Sequence, residues 1–166
     1  MIIRKETPAD IEAITDVTEK AFRTVPVSQQ TEHFVILALR KANVLTLSLV
    51  AEQDGQVVGH IAFSPVTIED RTDDWYGVGP LSVLPELQRT GIGSTLMSRG
   101  IEMIKEIGAK GCLLVGDPNY YIRFGYRNYP EMTHEGIPQE VFLALPFTES
   151  IPQGIVHFHE GFLARS

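Results

Sequence analysis

The sequence predicts an α/β fold of the α+β type, in which a central mixed sheet is flanked by helices. Apolar runs of strand character alternate with segments of helical periodicity, in the order strand, two helices, three strands, helix, strand, helix, two strands. The 166 residues are 43% hydrophobic and 21% charged, which is the balance of a globular domain. We therefore expect residues 1–166 to form a single domain.

The N-terminal half carries signals for two helices and a β-hairpin. Thr7, Pro8 and Asp10 supply the cap, the first-turn proline and the acidic residue with which helices begin. Asp54 followed by Gly55 is typical of a tight hairpin turn. The predicted elements are a strand from Ile2, a helix starting within residues 7–10, a helix over 31–41, a strand over 45–52, and a strand over 57–68 that Pro65 interrupts.

The C-terminal half is dominated by one long amphipathic helix. Its apolar stripe includes Ile92, Leu96 and Ile104, and Gly108 ends it as a C-cap. We expect residues 127–166 to complete the sheet. The predicted elements are a strand over 75–83, a helix over 88–107, a strand over 112–115, a short helix over 120–124, and strands over 141–145 and 155–158.

Composition excludes several classes of function. The net charge of −7 argues against nucleic acid as a partner, because an acidic surface repels phosphate. No apolar run approaches the roughly 20 residues that span a bilayer, so we expect no membrane segment and a cytoplasmic location. Cys112 is the one cysteine, and it lies in an apolar run where thiols are usually inert. His157 and His159 share a strand face but lack further ligands, so no metal site is predicted.

The most informative segment is a strand, a short loop and a glycine-containing helix start, residues 81–94. Glycines let a phosphate approach the backbone, and the first helical amides point at it unpaired. Arg89 adds a full positive charge. A Walker loop is excluded because no lysine follows Gly93, and a dinucleotide fingerprint is excluded because Leu96 stands where a small residue is needed. The pattern therefore predicts a site for a pyrophosphate.

The run Gln88-Arg89-Thr90-Gly91-Ile92-Gly93 resembles the acetyl-CoA motif of the GNAT superfamily, written Q/R-x-x-G-x-G/A. Within that superfamily the chain is similar to the YhbS-like subgroup of N-acetyltransferases. The resemblance implies a GNAT fold, acetyl-CoA as cosubstrate, pyrophosphate contacts from the amides of residues 88–94, and pantetheine contacts from Leu81, Ser82 and Val83. It also implies an N-acetyltransferase in which an amine attacks acetyl-CoA directly in a ternary complex.

Acetyl transfer requires a donor for the departing thiolate. Tyr121 stands in the segment Tyr121-Ile122-Arg123-Phe124-Gly125-Tyr126, which resembles the GNAT Y-x-x-x-G-F/Y pattern and so implies a general acid. Packing against the sheet is the alternative for this tyrosine and for the adjacent Tyr120. Asn119 is expected either to bond the pantetheine arm or to cap the helix that follows.

The sequence leaves the general base open. Glu32 and His60 are candidates, beside Glu69, Asp73 and Asp74. His60 has the right chemistry near neutral pH, and Glu32 lies in the helix that would line the acceptor cleft. A structural histidine and a solvated helix-face carboxylate are the competing interpretations. For the oxyanion, the resemblance implies a backbone amide on the strand near Leu81 to Val83, and a break in strand pairing at Gly79-Pro80 would expose such an amide.

The acceptor is expected to be an amine, either of a small molecule or of a protein lysine or N-terminus, and residues 127–166 are expected to shape the acceptor side. Glu131, Glu135, Glu140 and Glu160 would supply negative charge suited to a cationic acceptor, although surface solvation explains any one of them. A homodimer through the late strands is a further expectation. Two other functions stay open: a non-catalytic acyl-CoA-binding module of the same fold, and an acyltransferase for a longer chain or another acceptor.

Overall fold

The computed structural model describes all residues, 1–166. The strands and helices of its first half are β1 (Ile2–Lys5), α1 (Ile11–Phe22), α2 (Glu32–Lys41), β2 (Leu47–Gln53), β3 (Gln56–Pro65), β4 (Thr67–Ile68) and β5 (Trp75–Val83). Those of its second half are α3 (Ile92–Ile107), β6 (Gly111–Val115), α4 (Pro118–Tyr121), β7 (Arg127–Asn128), β8 (Met132–Thr133), β9 (Phe142–Pro146) and β10 (Gly154–His157). No helix is long and apolar enough to cross a membrane.

Seven strands form the main sheet, in the order β1-β2-β3-β5-β6-β9-β7. Only the β5–β6 pair is parallel; every other neighbouring pair in this sheet is antiparallel. The predicted central mixed sheet is therefore confirmed. The β2–β3 hairpin turns at Asp54 and Gly55, and both residues adopt the positive φ angles that such a turn requires.

The sheet opens in its middle, where β5 and β6 separate. Their pairing covers only Trp75–Gly77 of β5 against Gly111–Leu113 of β6. Beyond this point β5 stays with β3, and β6 stays with β9. Residues 78–83 of β5 thus have no neighbour on the β6 side, and their backbone groups there are free to meet a ligand.

Helices cover both faces of the main sheet. Strand residues alternate between the two faces, so Leu49 and Val50 point to opposite sides. Val50 packs in a cluster with Ile14 of α1 and Ile36 of α2. Leu49 packs in the largest core cluster, which includes the buried stripe of α3. The predicted flanking by helices on a central sheet is confirmed.

The last strand departs from its expected place. β9 and β7 extend the main sheet, but β10 pairs with β4 and β8 in a separate three-stranded sheet. The interruption at Pro65 explains this, because β3 ends there and Thr67–Ile68 offers a new edge. The second sheet packs over a cluster that contains Trp75, Phe142 and Val156.

The long helix begins four residues later than the sequence predicts, at Ile92. Gln88 is extended, and Arg89 and Gly91 have φ angles of 66° and 96°, so residues 88–91 form a loop. The helix ends as predicted at Gly108, with φ 106°. The first helix starts with a 3₁₀ turn over Pro8–Asp10, in which Asp10 accepts a hydrogen bond from the Thr7 amide as a capping box requires.

Candidate active site

A cavity of about 530 Å³ lies between the free side of β5, the start of α3, and α4. It is lined by Leu81, Val83, Leu87, Gln88, Arg89, Gly91, Gly93, Ser94, Tyr120 and Arg123. The position matches the phosphate site predicted from residues 81–94. We call it the cofactor cavity.

The main chain of β5 faces this cavity at alternate residues. The amide of Leu84 donates to the carbonyl of Val58 in β3. Because backbone groups of successive strand residues point to opposite edges, the amides and carbonyls of Val83 and Leu81 turn toward the open side. The side chain of Gln88 reaches the Val83 carbonyl at 3.1 Å and closes that end of the strand.

The start of α3 presents unpaired amides. Gly91 is its N-cap, and its carbonyl accepts the first helical hydrogen bond, from Thr95. The amides of Ile92, Gly93 and Ser94 therefore have no acceptor within the helix. A Cβ at Gly93 would lie 3.6 Å from the Tyr120 hydroxyl and 3.7 Å from Val83 Cγ2, so Gly93 forms part of the cavity wall. These amides and the helix dipole favour an anion.

Two arginines give the cofactor cavity its positive charge. Arg89 lies in the loop before α3, and Arg123 lies in the turn that follows α4. The Nε of Arg123 donates to the Tyr120 carbonyl at 2.9 Å, and its guanidinium lies 4.4 Å from the centre of the Tyr120 ring. These contacts hold the side chain over the ring as a cation–π pair. Sequence reasoning missed Arg123, although its place three residues after Tyr120 on a helical turn was a usable signal.

Five of the predicted cofactor residues do not line this cavity, namely Ser82, Thr90, Ile92, Asn119 and Tyr121. Ser82 is buried on the other face of β5, with its hydroxyl 3.5 Å from Thr18 of α1. Ile92 is buried in the core beneath α3, and the exposed Thr90 bonds the Leu87 carbonyl. The alternation of strand and helix faces, which a linear motif does not resolve, accounts for Ser82 and Ile92.

The helix after β6 brings Tyr120, not Tyr121, into the cavity wall. The Tyr120 hydroxyl lies 3.3 Å from Ser94 Oγ. Tyr121 packs instead against Gly116, where an added Cβ would lie 2.4 Å from its ring, and edge-on to Tyr126. Burial raises the pKa of Tyr121 to about 12, assisted by Tyr120 and Asp117. The phenol therefore stays protonated across the neutral range.

Asn119 does not cap the helix, which corrects that alternative. The cap is Asp117, whose carboxylate accepts a hydrogen bond from the Asn119 amide at 2.9 Å. The Asn119 side chain is exposed and lies outside the cavity lining. The sequence Asp117-Pro118 places proline at the first helical position, which is why the cap falls two residues earlier.

A second cavity, of about 490 Å³, lies nearer the N-terminal end of β5 than the cofactor cavity does. It is lined by Phe22, Thr31, Glu32, Val35, Val78, Gly79, Pro80, Val115, His134, His157, Phe158, His159, Glu160, Phe162 and Leu163. We call it the acceptor cavity. Successive segments of β5 contribute to the two cavities, Val78–Pro80 to this one and Leu81–Val83 to the other.

The expected break in pairing at Gly79 and Pro80 is confirmed. The register between β3 and β5 shifts between Ile61 and Phe63, so residues 79 and 80 oppose no β3 residue. The Gly79–Pro80 peptide is cis, and Gly79 has φ 126°. The bulge lies at the opening between β5 and β6, where the two cavities approach each other along the strand.

Comparisons with known proteins agree with this geometry. A model of the acetyltransferase (GNAT) domain matches residues 45–128. A protein of Escherichia coli strain K12, named uncharacterized N-acetyltransferase YhbS, is 35% identical over 127 residues, which are 76% of this chain and 73% of YhbS. The chain belongs to the GNAT acetyltransferase family.

Two solved GNAT structures resemble the whole chain. A GNAT family acetyltransferase from Brucella melitensis, in complex with acetyl-CoA, has a TM-score of 0.87 and 49% identity over 97% of both chains. Escherichia coli YhbS, in complex with CoA, has a TM-score of 0.89 and 29% identity over 99% of this chain and 93% of that chain. The predicted GNAT fold and the similarity to YhbS are confirmed.

Of the two candidate bases in this GNAT protein, only Glu32 lines the acceptor cavity. Its carboxylate oxygens both lie 2.8 Å from the Ser28 hydroxyl, which holds the side chain at the start of α2. Glu69, Asp73 and Asp74 line neither cavity, and Asp73 pairs with Lys110 at 2.9 Å.

His60 lies outside both cavities, fully buried on β3. Its Nε2 is 2.7 Å from Ser48 Oγ, and Ser48 also bonds Glu6, which Arg40 holds at 2.9 and 3.0 Å. Burial lowers the pKa of His60 to about 4, against the opposing attraction of Glu6. The imidazole is thus neutral and sealed from an acceptor, and the structure assigns it to the core instead.

Cys112 and His159 have structural partners, and His157 does not. Cys112 is buried with its sulfur 3.1 Å from the Tyr126 hydroxyl, and burial raises the pKa of the thiol to about 12. His159 accepts a hydrogen bond from the Gly161 amide at Nδ1, while His157 is exposed. No group of three or more His, Cys, Asp or Glu side chains is arranged to hold a metal ion.

Proposed function

We propose that this GNAT protein is an N-acetyltransferase that transfers the acetyl group of acetyl-CoA to an amine by direct attack in a ternary complex. One observation carries the proposal: β5 forms a wall of both cavities, and its bulge lies at the opening between β5 and β6. A thioester bound along Leu81–Val83 would place its acetyl group at Val78–Pro80. The acetyl-CoA and CoA complexes of the two solved relatives support the choice of cosubstrate.

Each part of the cofactor cavity has a role in this proposal. The amides of residues 92–94 and the charge of Arg89 would hold the pyrophosphate, because unpaired amides and a nearby cation suit an anion. The backbone groups of Leu81 and Val83 would pair with the pantetheine amides as a further strand does. A backbone amide at the Gly79 bulge would stabilise the oxyanion.

The chemistry needs a donor for the thiolate as the carbon–sulfur bond breaks. Tyr121 is the proposed donor. Its raised pKa makes full proton transfer to a thiolate uphill, since an ordinary thiol has a pKa of about 8.5. The side chain would therefore act by a hydrogen bond that strengthens as negative charge grows on sulfur.

The proposal also covers the domain organisation, the location and the oligomeric state of the protein. Residues 1–166 would form one domain, supported by β7 and β9 in the main sheet and by the packing of the second sheet on Trp75. A cytoplasmic location and a homodimer are also proposed, with the edge strand β7 as the contact. Light scattering on the purified protein measures the oligomeric state.

The test of the cofactor assignment is isothermal titration with acetyl-CoA. Gly93→Leu should raise the dissociation constant at least tenfold, because a Cβ fits at residue 93 and the remaining side chain must enter the cavity. Gly93 suits the test better than Gly91, where the φ of 96° would strain any larger residue.

Ser98→Leu is the matched control, since Ser98 is exposed on the same helix outside the cavity. It should bind as the wild type does. A folded wild-type protein that binds no acetyl-CoA would overturn the cofactor assignment. Binding without thiol release for any amine would favour the non-catalytic acyl-CoA-binding module.

A further inference from the structure

The two cavities carry opposite charge. The cofactor cavity is lined by Arg89 and Arg123 and by no carboxylate. The acceptor cavity is lined by Glu32 and Glu160 and by no lysine or arginine. A wall whose carboxylates are accompanied by no lysine or arginine attracts a cation and repels a carboxylate, most strongly where the cavity excludes water.

The rest of the acceptor cavity is largely apolar. Its aromatic residues Phe22, Phe158 and Phe162 stand with Val35 and Leu163. Binding becomes more favourable when apolar side chains remove an apolar ligand surface from water. Aromatic faces also attract an ammonium group. The volume of about 490 Å³ suits a small molecule.

We propose that the acceptor cavity takes a small monoamine whose ammonium group is carried on an apolar or aromatic body and which has no carboxylate. The inference rests on the proposed function. Glu32 would hold the ammonium, and the phenylalanines would cover the body. After the amine loses a proton, its nitrogen forms a bond to the acetyl carbon and the carbon–sulfur bond breaks. The products are the N-acetylated amine and CoA, whose thiolate takes up a proton.

The sharpest test compares 2-phenylethylamine with L-phenylalanine, which differ only by a carboxylate. An NMR titration without acetyl-CoA measures binding, and thiol release with acetyl-CoA measures transfer. We expect at least tenfold tighter binding and at least tenfold higher kcat/KM for the amine. Glu32→Gln should lower the kcat/KM for the amine about tenfold, whereas Glu12→Gln, an exposed change on α1 outside both cavities, should not.

Equal or tighter binding of L-phenylalanine, or no binding of the amine, would overturn the inference. A better rate with Nα-acetyl-lysine amide, a mimic of a protein lysine, would overturn it in favour of a protein acceptor. Failure of the proposed function is a separate result, because it appears as a lack of acetyl-CoA binding. The amine titration does not depend on the cofactor.

A different observation bears on how the amine loses its proton. Nδ1 of His134 lies 2.9 Å from the Val156 carbonyl oxygen. A carbonyl can only accept, so Nδ1 carries the hydrogen, and in the neutral ring Nε2 keeps its lone pair. Nε2 of His134 has no hydrogen-bond partner within the protein. Three buried side-chain atoms also lack a partner, Arg40 Nη1, His60 Nδ1 and Ser64 Oγ. Nε2 of His134 is not one of them, so it is accessible and not buried.

The His134 ring is fixed in place by two aromatic neighbours. It stacks on Phe142 at 5.7 Å and meets Phe158 edge-on at 4.9 Å. The other histidine of the cavity with a fixed tautomer, His159, accepts at Nδ1 and so presents an N–H at Nε2. Among the described side chains of the acceptor cavity, His134 is thus the imidazole that is oriented to accept a proton.

We infer that Nε2 of His134 is the general base that deprotonates the acceptor, again on the basis of the proposed function. Four other titratable groups line the same cavity, Glu32, His157, His159 and Glu160. The test is His134→Asn, which keeps a side-chain N–H for the Val156 carbonyl and removes the proton acceptor. His33→Asn is the control, because His33 lies on α2 outside both cavities.

With 2-phenylethylamine, or with water as acceptor in slow acetyl-CoA hydrolysis, His134→Asn should lower kcat/KM on the order of 10²-fold. The affinity for acetyl-CoA should not change. A folded variant that keeps at least a third of the wild-type kcat/KM would overturn the assignment.

Discussion

Two adjacent tyrosines have divided their contacts between the cavity and the core. Tyr120 presents its hydroxyl to Ser94 and supports Arg123 with its ring. Tyr121 is more enclosed, packed against Gly116 and Tyr126. A tyrosine in the wall can affect cofactor binding, while an enclosed phenol is better insulated from water and so makes a stronger hydrogen bond to a thiolate. The two residues should therefore affect different kinetic constants.

Substitution of each tyrosine by phenylalanine separates these roles. Tyr121→Phe should lower kcat on the order of 10²-fold without weakening acetyl-CoA binding, because only the donor to the leaving thiolate is lost. Tyr120→Phe should change kcat little and weaken acetyl-CoA binding a few-fold through the loss of its hydroxyl in the wall. Steady-state kinetics and calorimetry on both variants measure the two constants. The opposite pattern would give the donor role to Tyr120.

At the residue scale, the sequence predicted the cofactor cavity better than the acceptor cavity. Gln88, Arg89 and Gly93 form a local motif, so their spacing alone indicates their shared position. His134 and Glu160 reach the acceptor cavity from segments that are distant in sequence from Glu32. The tautomer of His134 depends on the Val156 carbonyl, and no local pattern reports a contact across 22 residues.

At the scale of elements, β5 organises the site because two neighbouring strands and an internal bulge determine its geometry. β3 pairs with it along most of its length, β6 pairs only with Trp75–Gly77, and the bulge at Gly79 and Pro80 interrupts the ladder. The first neighbour fixes the strand, the second leaves one edge open, and the bulge aims a backbone segment at the acceptor cavity. An edge that is open in the middle of a sheet invites pairing with an extended ligand.

The elements were predictable to the extent that their signals are local. The caps at Thr7–Asp10 and Gly108 and the turn at Asp54–Gly55 set their boundaries directly. The start of α3 was placed too early because Gln88 and Arg89 are compatible with a helix, whereas the positive φ of Arg89 comes from the tertiary structure. The membership of β10 in a second sheet depends on its pairing with β4, which is about 90 residues away in sequence.

At the scale of the whole molecule, the cofactor cavity has a charge opposite to the net charge of the chain. The chain has a net charge of −7, yet Arg89 and Arg123 both line the cofactor cavity. An acidic protein repels a polyanion at long range, so the local field of two arginines and the α3 amides must overcome it. The binding of an anionic cofactor is accordingly determined by groups within a few ångströms of it, since salt screens the distant charges.

The buried network around His60 links the stability of the whole domain to pH. The pKa of His60 is about 4 in the folded protein and 6.5 for the free side chain, mainly because burial disfavours the charged form. Between these values the unfolded chain binds a proton that the folded chain does not. The stability that comes from the neutral, buried His60 is therefore fully present above about pH 6.5 and is lost as the pH falls toward 4.

The free energy of unfolding, measured by urea denaturation at several pH values, should fall by up to about 1.4 kcal/mol per pH unit on this account between pH 6.5 and 5. His60→Leu should flatten that slope, because it removes the buried proton acceptor and its unpartnered Nδ1 while Ser48 keeps its bond to Glu6. Glu6 and Asp10, whose pKa values are lowered from 4.5 and 3.8, act below this window. The control is His157→Leu, which changes an exposed histidine and should keep the wild-type slope. Equal slopes in the wild type, His60→Leu and His157→Leu would show that the pH dependence does not come from His60.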